Sequence, residues 1–463
     1  MTDTKSAVPV ELGTERIGKL LKQYALPAII AQTASSLYNM VDSIFIGQGV
    51  GPLAISGLAV TFPLMNLSTA FGTLVGAGAS TMLSVLLGQK NYKAANKVLG
   101  NVVSLNIIIG LAFMILALVF IDPILYFFGA SENTLPYAKE YMRIILYGNV
   151  ITHLYFGLNS AMRSSGSPKK AMGLTIFTVL FNAILDPIFI FGLDMGIAGA
   201  AWATVIAQTV AMIVVLMHFN DRRRAFHFEK GIVRLDLRVA KDSLAIGMGP
   251  FLMNSAACLV TLFINQQLRS YSGDLGIGAY GICNRIIFMF AMICMGLNQG
   301  MQPIAGYNYG AKSYSRVKEV FWKTARLAVG VTTLCFIIGM FFPRLAVGIF
   351  TNDAALTEMA SDGLRIMTLV FPIVGFQMIS TNFFQSLGMV KKSVILSLSR
   401  QILFLLPLLY ALPLWFGAKG VWMSFPIADI VATILTALML WHLFRKFNRL
   451  NDGDDPSILG SQL

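Results

Sequence analysis

Charge is scarce in this chain. Asp, Glu, Lys and Arg make up 12% of its residues, where a soluble domain carries roughly a quarter. With 56% hydrophobic residues and a mean hydropathy of +0.70, its 463 residues cannot cover their surface for water. The bilayer is the natural solvent. Cysteine is also scarce. Cys258, Cys283, Cys294 and Cys335 all lie in apolar runs, and none forms a C-x-x-C pair. This excludes a disulfide scaffold or zinc ribbon and leaves small buried hydrophobes. No H-E-x-x-H or G-x-S-x-G motif is present. Catalytic chemistry and a cofactor are therefore not expected. The polar start through Lys22 has no signal-peptide core or cleavage site, so the first span, from Tyr24, is expected to act as the targeting signal.

Long apolar runs are what the chain has instead. A span needs about 20 apolar residues. Twelve candidates follow: 24–46, 54–82, 96–121, 136–161, 170–192, 196–218, 243–268, 276–304, 320–342, 358–386, 393–415 and 418–444. The expected fold is an all-α integral membrane protein of twelve transmembrane helices.

The net charge of +13 lies mostly in short alternate loops. Lys90, Lys93 and Lys97 occupy one, Lys169 and Lys170 another, Lys391 and Lys392 a third; the largest cluster runs from Arg222 to Lys241. Such placement argues against nucleic-acid binding and, by the positive-inside rule, puts both termini in the cytoplasm. The expected location is the bacterial cytoplasmic (inner) membrane.

The loops also repeat. Gly88-Gln-Lys-Asn-Tyr92 matches Gly310-Ala-Lys-Ser-Tyr314, and Gly166-Ser-Pro-Lys-Lys170 matches Gly388-Met-Val-Lys-Lys392, at one constant offset. With one residue of slip, Pro27 meets Pro250 and Gly196 meets Gly417. Two pseudo-symmetric six-helix bundles follow: an N-lobe over 1–218, a basic linker over 219–242, a C-lobe over 243–446 and a polar tail over 447–463. The acidic stretch after Asn451 reads as disordered. Both halves start on the same side, a parallel repeat of the kind that frames a transport pathway. One chain with both halves can form that pathway alone, as a monomer. Gly306-Tyr-Asn-Tyr-Gly-Ala-Lys-Ser313 imitates a phosphate-binding loop, but Ala311 replaces the needed glycine and a membrane helix precedes it.

Charge at membrane depth is costly and usually functional. Asp42 in span 1 and Asp186 in span 5 are the strongest candidates. At about 1.5 Å per residue, Asp42 lies roughly 27 Å above Tyr24, Asp186 roughly 24 Å above Lys170 and Thr204 roughly 12 Å below Gly196. Asn182 precedes Asp186 by one turn, on the same face. Asp42, Asn182, Asp186 and Thr204 together make an oxygen-rich cluster suited to sodium or a shared proton. Desolvation and a neighbouring acid favour the neutral form of a buried carboxyl, whereas sodium or a cationic drug favours the charged form. Competition of this kind is what an antiporter requires. Pro27 in span 1 and Pro187 each remove a helix hydrogen bond, and Pro27 is a candidate hinge. In the C-terminal half, Asp429 reads as a structural ion pair with Arg285 or Arg400. Plentiful Phe, Tyr and Met suit promiscuous binding.

These features, namely two six-helix halves, Pro27 and Asp42 in span 1, the G-Q-K-N-Y loop and Asn182 with Asp186, resemble the multidrug and toxic compound extrusion (MATE) transporters over residues 12–446. Within that family the chain looks like the prokaryotic, DinF-like branch with an N-lobe cation site. The resemblance implies a site at Asp42, Asn182, Asp186 and Thr204, with Tyr141 and Asn159 in a supporting network. It also implies multidrug efflux of cationic amphiphiles by sodium or proton antiport. Asn265 and Gln377 lie where another branch has coupling carboxylates, which argues against a C-lobe sodium site. The competing expectations are a flippase for a lipid-linked or amphiphilic molecule and a channel.

Overall fold

The computed structural model describes residues 11–50, 52–221, 226–228, 235–350 and 353–454. Much of the basic linker and the tail from residue 455 lie outside them. Among the described residues no strand occurs. Nine helices among the described residues are long and apolar enough to cross a membrane, and a bent pair makes ten.

The first six spans are α1 (Ile17–Gly49), α2 (Pro52–Gly88), α3 (Tyr92–Val119), α4 (Leu135–Tyr147 resuming at Asn149–Ser164), α5 (Pro168–Pro187) and α6 (Gly196–Asn220). The second six are α7 (Leu237–Leu268), α8 (Leu275–Gly310), α9 (Tyr314–Phe341), α10 (Ala354–Thr368 with Phe371–Ser386), α11 (Val390–Phe416) and α12 (Ala418–Phe447). The two spans that fall short on length and apolarity are α1, rich in polar residues, and α4, broken at Gly148. With them the count reaches the expected twelve.

Several expected straight spans are interrupted. α10 bends by 55° between its two pieces. α5 and α11 each contain a π-helical turn, Ile188–Gly192 and Ser399–Leu405. α7 and α8 run on as one helical stretch broken at Gly273, whose φ of 62° and ψ of −157° a side chain would resist.

The backbone confirms the repeat in detail. Lys90 and Lys312 both take φ 58°, and Gly196 and Gly417 both take φ 57°. Asn91 N–H bonds Leu86 O at 2.9 Å, and Ser313 N–H bonds Asn308 O at 2.9 Å. The same turn geometry recurs because the same Lys-polar-Tyr chemistry ends one helix and starts the next.

Two compact units result. The first comprises Met1–Thr14 with Ile30–Phe251, the second Glu15–Ile29 with Leu252–Leu463. The opening turns of α1 therefore belong with the second unit, and the opening turns of α7 with the first. Each is seated on small residues, which is how membrane helices approach closely. In the first unit, a Cβ on Gly78 of α2 would collide with the Ser243 backbone of α7. In the second, a Cβ on Gly300 of α8 would collide with Ala25 of α1.

The stretch after Asn451, expected to be disordered, is docked as far as Asp454. Asp452 accepts from Ser315 N–H at 2.9 Å and from the Ser315 hydroxyl, Gly453 N–H bonds Lys312 O at 2.9 Å, and Tyr314 OH bonds Asp454 O at 3.0 Å. The start of α9 offers backbone groups that an acidic segment satisfies.

Candidate functional site

Inside the first unit, α1, α5 and α6 bring the four expected residues together. Asp42 and Asp186 are 6% and 0% exposed. Their carboxyl groups are close enough to act on each other electrostatically. Asn182 donates from Nδ2 to Asp186 Oδ1 at 3.5 Å and to Thr204 Oγ1 at 3.4 Å. The Thr204 hydroxyl donates to Ala200 O at 3.1 Å, which fixes its rotamer. Neither carboxylate has an ion-pair partner among the described residues. Three buried oxygens of the cluster, Asp42 Oδ1, Asp186 Oδ2 and Asn182 Oδ1, accept no hydrogen bond among the described residues.

Local backbone chemistry explains the placement of Asp186. Pro187 has no N–H to give the preceding turn. The helix answers by widening into the π turn Ile188–Gly192, where Leu193 N–H reaches Ile188 O at 2.9 Å. Such widened turns recur at functional sites. On the facing side, a Cβ on Gly148 would run into Val205 of α6. Glycine thus lets α4 pack closely, and Tyr141 on its first piece is buried among Ile46, Ile190, Ala200 and Ala201. From there its phenol lies within electrostatic range of both carboxylates.

Asn159, the other expected supporter, is not brought to the carboxylates. Its Nδ2 donates to Thr175 Oγ1 at 3.1 Å. Tyr155 OH donates to Thr175 Oγ1 at 3.4 Å, and Thr178 Oγ1 donates to Tyr155 OH at 3.5 Å. Thr175 lies roughly 16 Å before Asp186 along α5 at about 1.5 Å per residue. Yet Thr175, Thr178, Asn182 and Asp186 recur at three- and four-residue steps, on one face of the helix. Sequence reasoning missed Tyr155, Thr175 and Thr178, although that spacing was there to be read.

A second buried polar cluster was also missed. Ser68 of α2 donates to Asn149 Oδ1 at 2.5 Å and lies 3.2 Å from His153 Nε2, and Asn149 Nδ2 donates to Gly110 O at 3.0 Å. A lone histidine within an apolar span was the signal.

The second unit treats its buried acid differently. Arg400, in the π turn of α11, donates through Nε to Asp429 Oδ1 of α12 at 2.5 Å. Arg285, the other expected partner, is exposed. Gln377 is buried and bonds Thr381 Oγ1 at 3.5 Å, within its own helix.

Two six-span repeats with an unpaired carboxylate couple buried in one of them define a polytopic membrane transporter. The MatE family pattern matches residues 27–188 and 246–411, and the chain belongs to that family, the MATE transporters. It is 29% identical over 428 residues to the multidrug export protein MepA of Staphylococcus aureus (strain MRSA252), covering 92% of this chain and 94% of MepA. It is similar to the solved structure of the MATE multidrug transporter DinF-BH, with 35% identity, a TM-score of 0.88, and coverage of 97% of this chain and 100% of that one. An outward-facing MATE transporter of the MOP superfamily shares the fold at 23% identity and a TM-score of 0.88, covering 95% of this chain and 99% of that one.

Proposed function

We propose that this protein exports cationic amphiphilic compounds by alternating access, in exchange for sodium or protons taken up at Asp42, Asn182, Asp186 and Thr204. The carboxylate couple carries the proposal. As a general scale, two like unit charges repel by about 4 kcal/mol at about 4 Å and an effective dielectric of 20, so a doubly ionised couple at close range is costly. Each orphaned buried acceptor costs a further 1–3 kcal/mol or so. A shared proton or a bound sodium ion removes both penalties. Carboxylate, amide and hydroxyl oxygens are the donors a hard cation prefers. The site is thus costly when empty and relieved when loaded, as coupling requires.

The loaded and unloaded forms then favour different conformations, and the ion's free energy drives the drug outward. One charge crossing about 100 mV supplies about 2.3 kcal/mol, roughly a 50-fold gradient of a neutral solute. Pro27 lies just before the point at which α1 leaves the second unit for the first, between Ile29 and Ile30. A helix with a missing hydrogen bond there bends at little cost, which supports its role as hinge. Both termini are assigned to the cytoplasm, and the monomer is the working unit.

The test is export of a fluorescent organic cation from everted vesicles under separate sodium and proton gradients. Loss of driven export in Asp42→Asn and in Asp186→Asn, with folding intact, is the expected result. Export that persists in both variants refutes the site. A folded wild-type protein that moves no cation refutes the function and turns attention to a lipid flippase.

A further inference from the structure

Within the second unit, a cavity of about 630 Å³ opens between α1, α8 and α9. Its walls are apolar, with Leu26 and Ile29 from α1, Leu297 from α8 and Val331 from α9. Its polar rim is cationic: Lys22, Lys323 and Arg326. The order along the helices is the same on both sides. On α1, Lys22 precedes Leu26 and Ile29 on one face; on α9, Lys323 precedes Leu327 and Val331 on one face. Lys323 leans across toward α1, since a Cβ on Gly18 would sit 3.9 Å from its Nζ. One carboxylate, Glu319, bonds Lys323 at 2.6 Å. Leu26 and Leu327 are exposed, so the groove opens sideways.

We propose that this groove is a binding site for an anionic phospholipid of the cytoplasmic leaflet. The three cations take the phosphate, and the leucine- and isoleucine-lined wall takes the first part of an acyl chain. Basic pockets between membrane helices on the cytoplasmic side have this chemistry. The volume falls in the range of about 300–1,000 Å³ typical of ligand-sized sites. It suits a headgroup and part of a chain. A cationic export substrate is repelled by the rim, so the site is separate from the transported cargo. The proposal rests on the cytoplasmic assignment of the α1 and α9 starts, but not on the carboxylate site.

Each cation near an anionic lipid is worth about fivefold in binding, so three give roughly 100-fold, or about 25-fold if Glu319 cancels Lys323. The test is native mass spectrometry of the purified full-length protein with competing phosphatidylglycerol and phosphatidylcholine of matched chains. Wild type is expected to retain phosphatidylglycerol preferentially. The K22Q/K323Q/R326Q variant is expected to lose that preference by about 25-fold or more, on the order set by three cations. A control variant, K93Q/K169Q/K170Q, changes basic residues in the first turns of α3 and α5 in the first unit and is expected to keep it. Circular dichroism and gel filtration report folding. Should the triple variant fail to fold, R326Q alone, at an exposed position, is expected to cost about fivefold. Equal retention of both lipids by wild type overturns the proposal. So does unchanged preference in the groove variants, equal loss in the control, or displacement of the lipid by millimolar inorganic phosphate. Export measured in parallel keeps the two readings apart: lost export with intact lipid preference bears on the carboxylates alone.

Discussion

The two units bury acids in opposite ways. In the first, Asp42 and Asp186 face each other with no basic partner among the described residues. In the second, Asp429 is held by Arg400 at 2.5 Å. The same repeat thus carries one site whose charge is left open and one whose charge is closed. A closed pair is a strut: its partner is permanent and its geometry fixed. An open pair has no such fixed partner, which is what supports the proposed exchange of a counter-ion there.

The largest effect expected from this contrast falls on the open pair. Asp186→Asn should reduce gradient-driven export at least about 100-fold, because an amide can neither release a proton nor bind sodium as a charge. Folding, followed by thermal denaturation in detergent, should change little. Swapping the behaviour is a sharper test. Placing a cation beside the couple, as in Asn182→Lys, should lock it closed and abolish export while raising the midpoint of unfolding.

The closed pair should respond in the reverse sense. Arg400→Met leaves Asp429 buried without a partner and should destabilise the protein by about 3 kcal/mol, at the low end for a buried pair because Arg400 is partly exposed. The double variant Arg400→Met with Asp429→Leu should recover most of that loss and should still transport. If the double variant folds but cannot export, Asp429 belongs to the mechanism and the contrast between the units fails.

Smaller effects belong to the surroundings. Thr204→Val removes one neutral oxygen from the open cluster and should weaken ion affinity by about tenfold, read as a rise in the sodium or proton concentration for half-maximal export. Pro27→Ala restores a helix hydrogen bond and should slow turnover with little change in ion affinity. The smallest effect concerns the docked tail. Partial burial pushes the Asp452 carboxyl up, but its bonds to the Ser315 hydroxyl and amide outweigh this and hold it below its ordinary value. That contact therefore stabilises above the range of a free carboxyl and is lost as pH falls through the lowered value. Faster amide exchange at Ser315 in acid, absent in Asp452→Asn, is the expected sign.

Much of the architecture was legible because the bilayer allows few solutions. Every backbone group must be satisfied within a span, so apolar runs mark helices almost directly. The repeat was legible because loops such as 88–92 and 310–314 carry local turn chemistry, and local chemistry needs no partner from afar. The interruptions were harder. The break at Gly148, where α4 packs on Val205, and the 55° bend in α10 are not encoded in a hydropathy run, and neither is the π turn after Leu398; only the one after Pro187 has a local signal, the missing N–H.

Sequence by itself determined which acids fall within the apolar spans and which loops repeat. These follow from the cost of charge in hydrocarbon and from the short reach of loop chemistry. Tertiary structure alone decided which of those acids meet. Spacing set Asp42 and Asp186 at a similar depth, but only packing turns them toward each other, and only packing gives Asp429 Arg400 over Arg285. That Asn159 joins Thr175 instead of the carboxylates is equally a matter of rotation and crossing of helices. A helix presents its side chains all around its axis, and only the packing of its neighbours selects the face that counts.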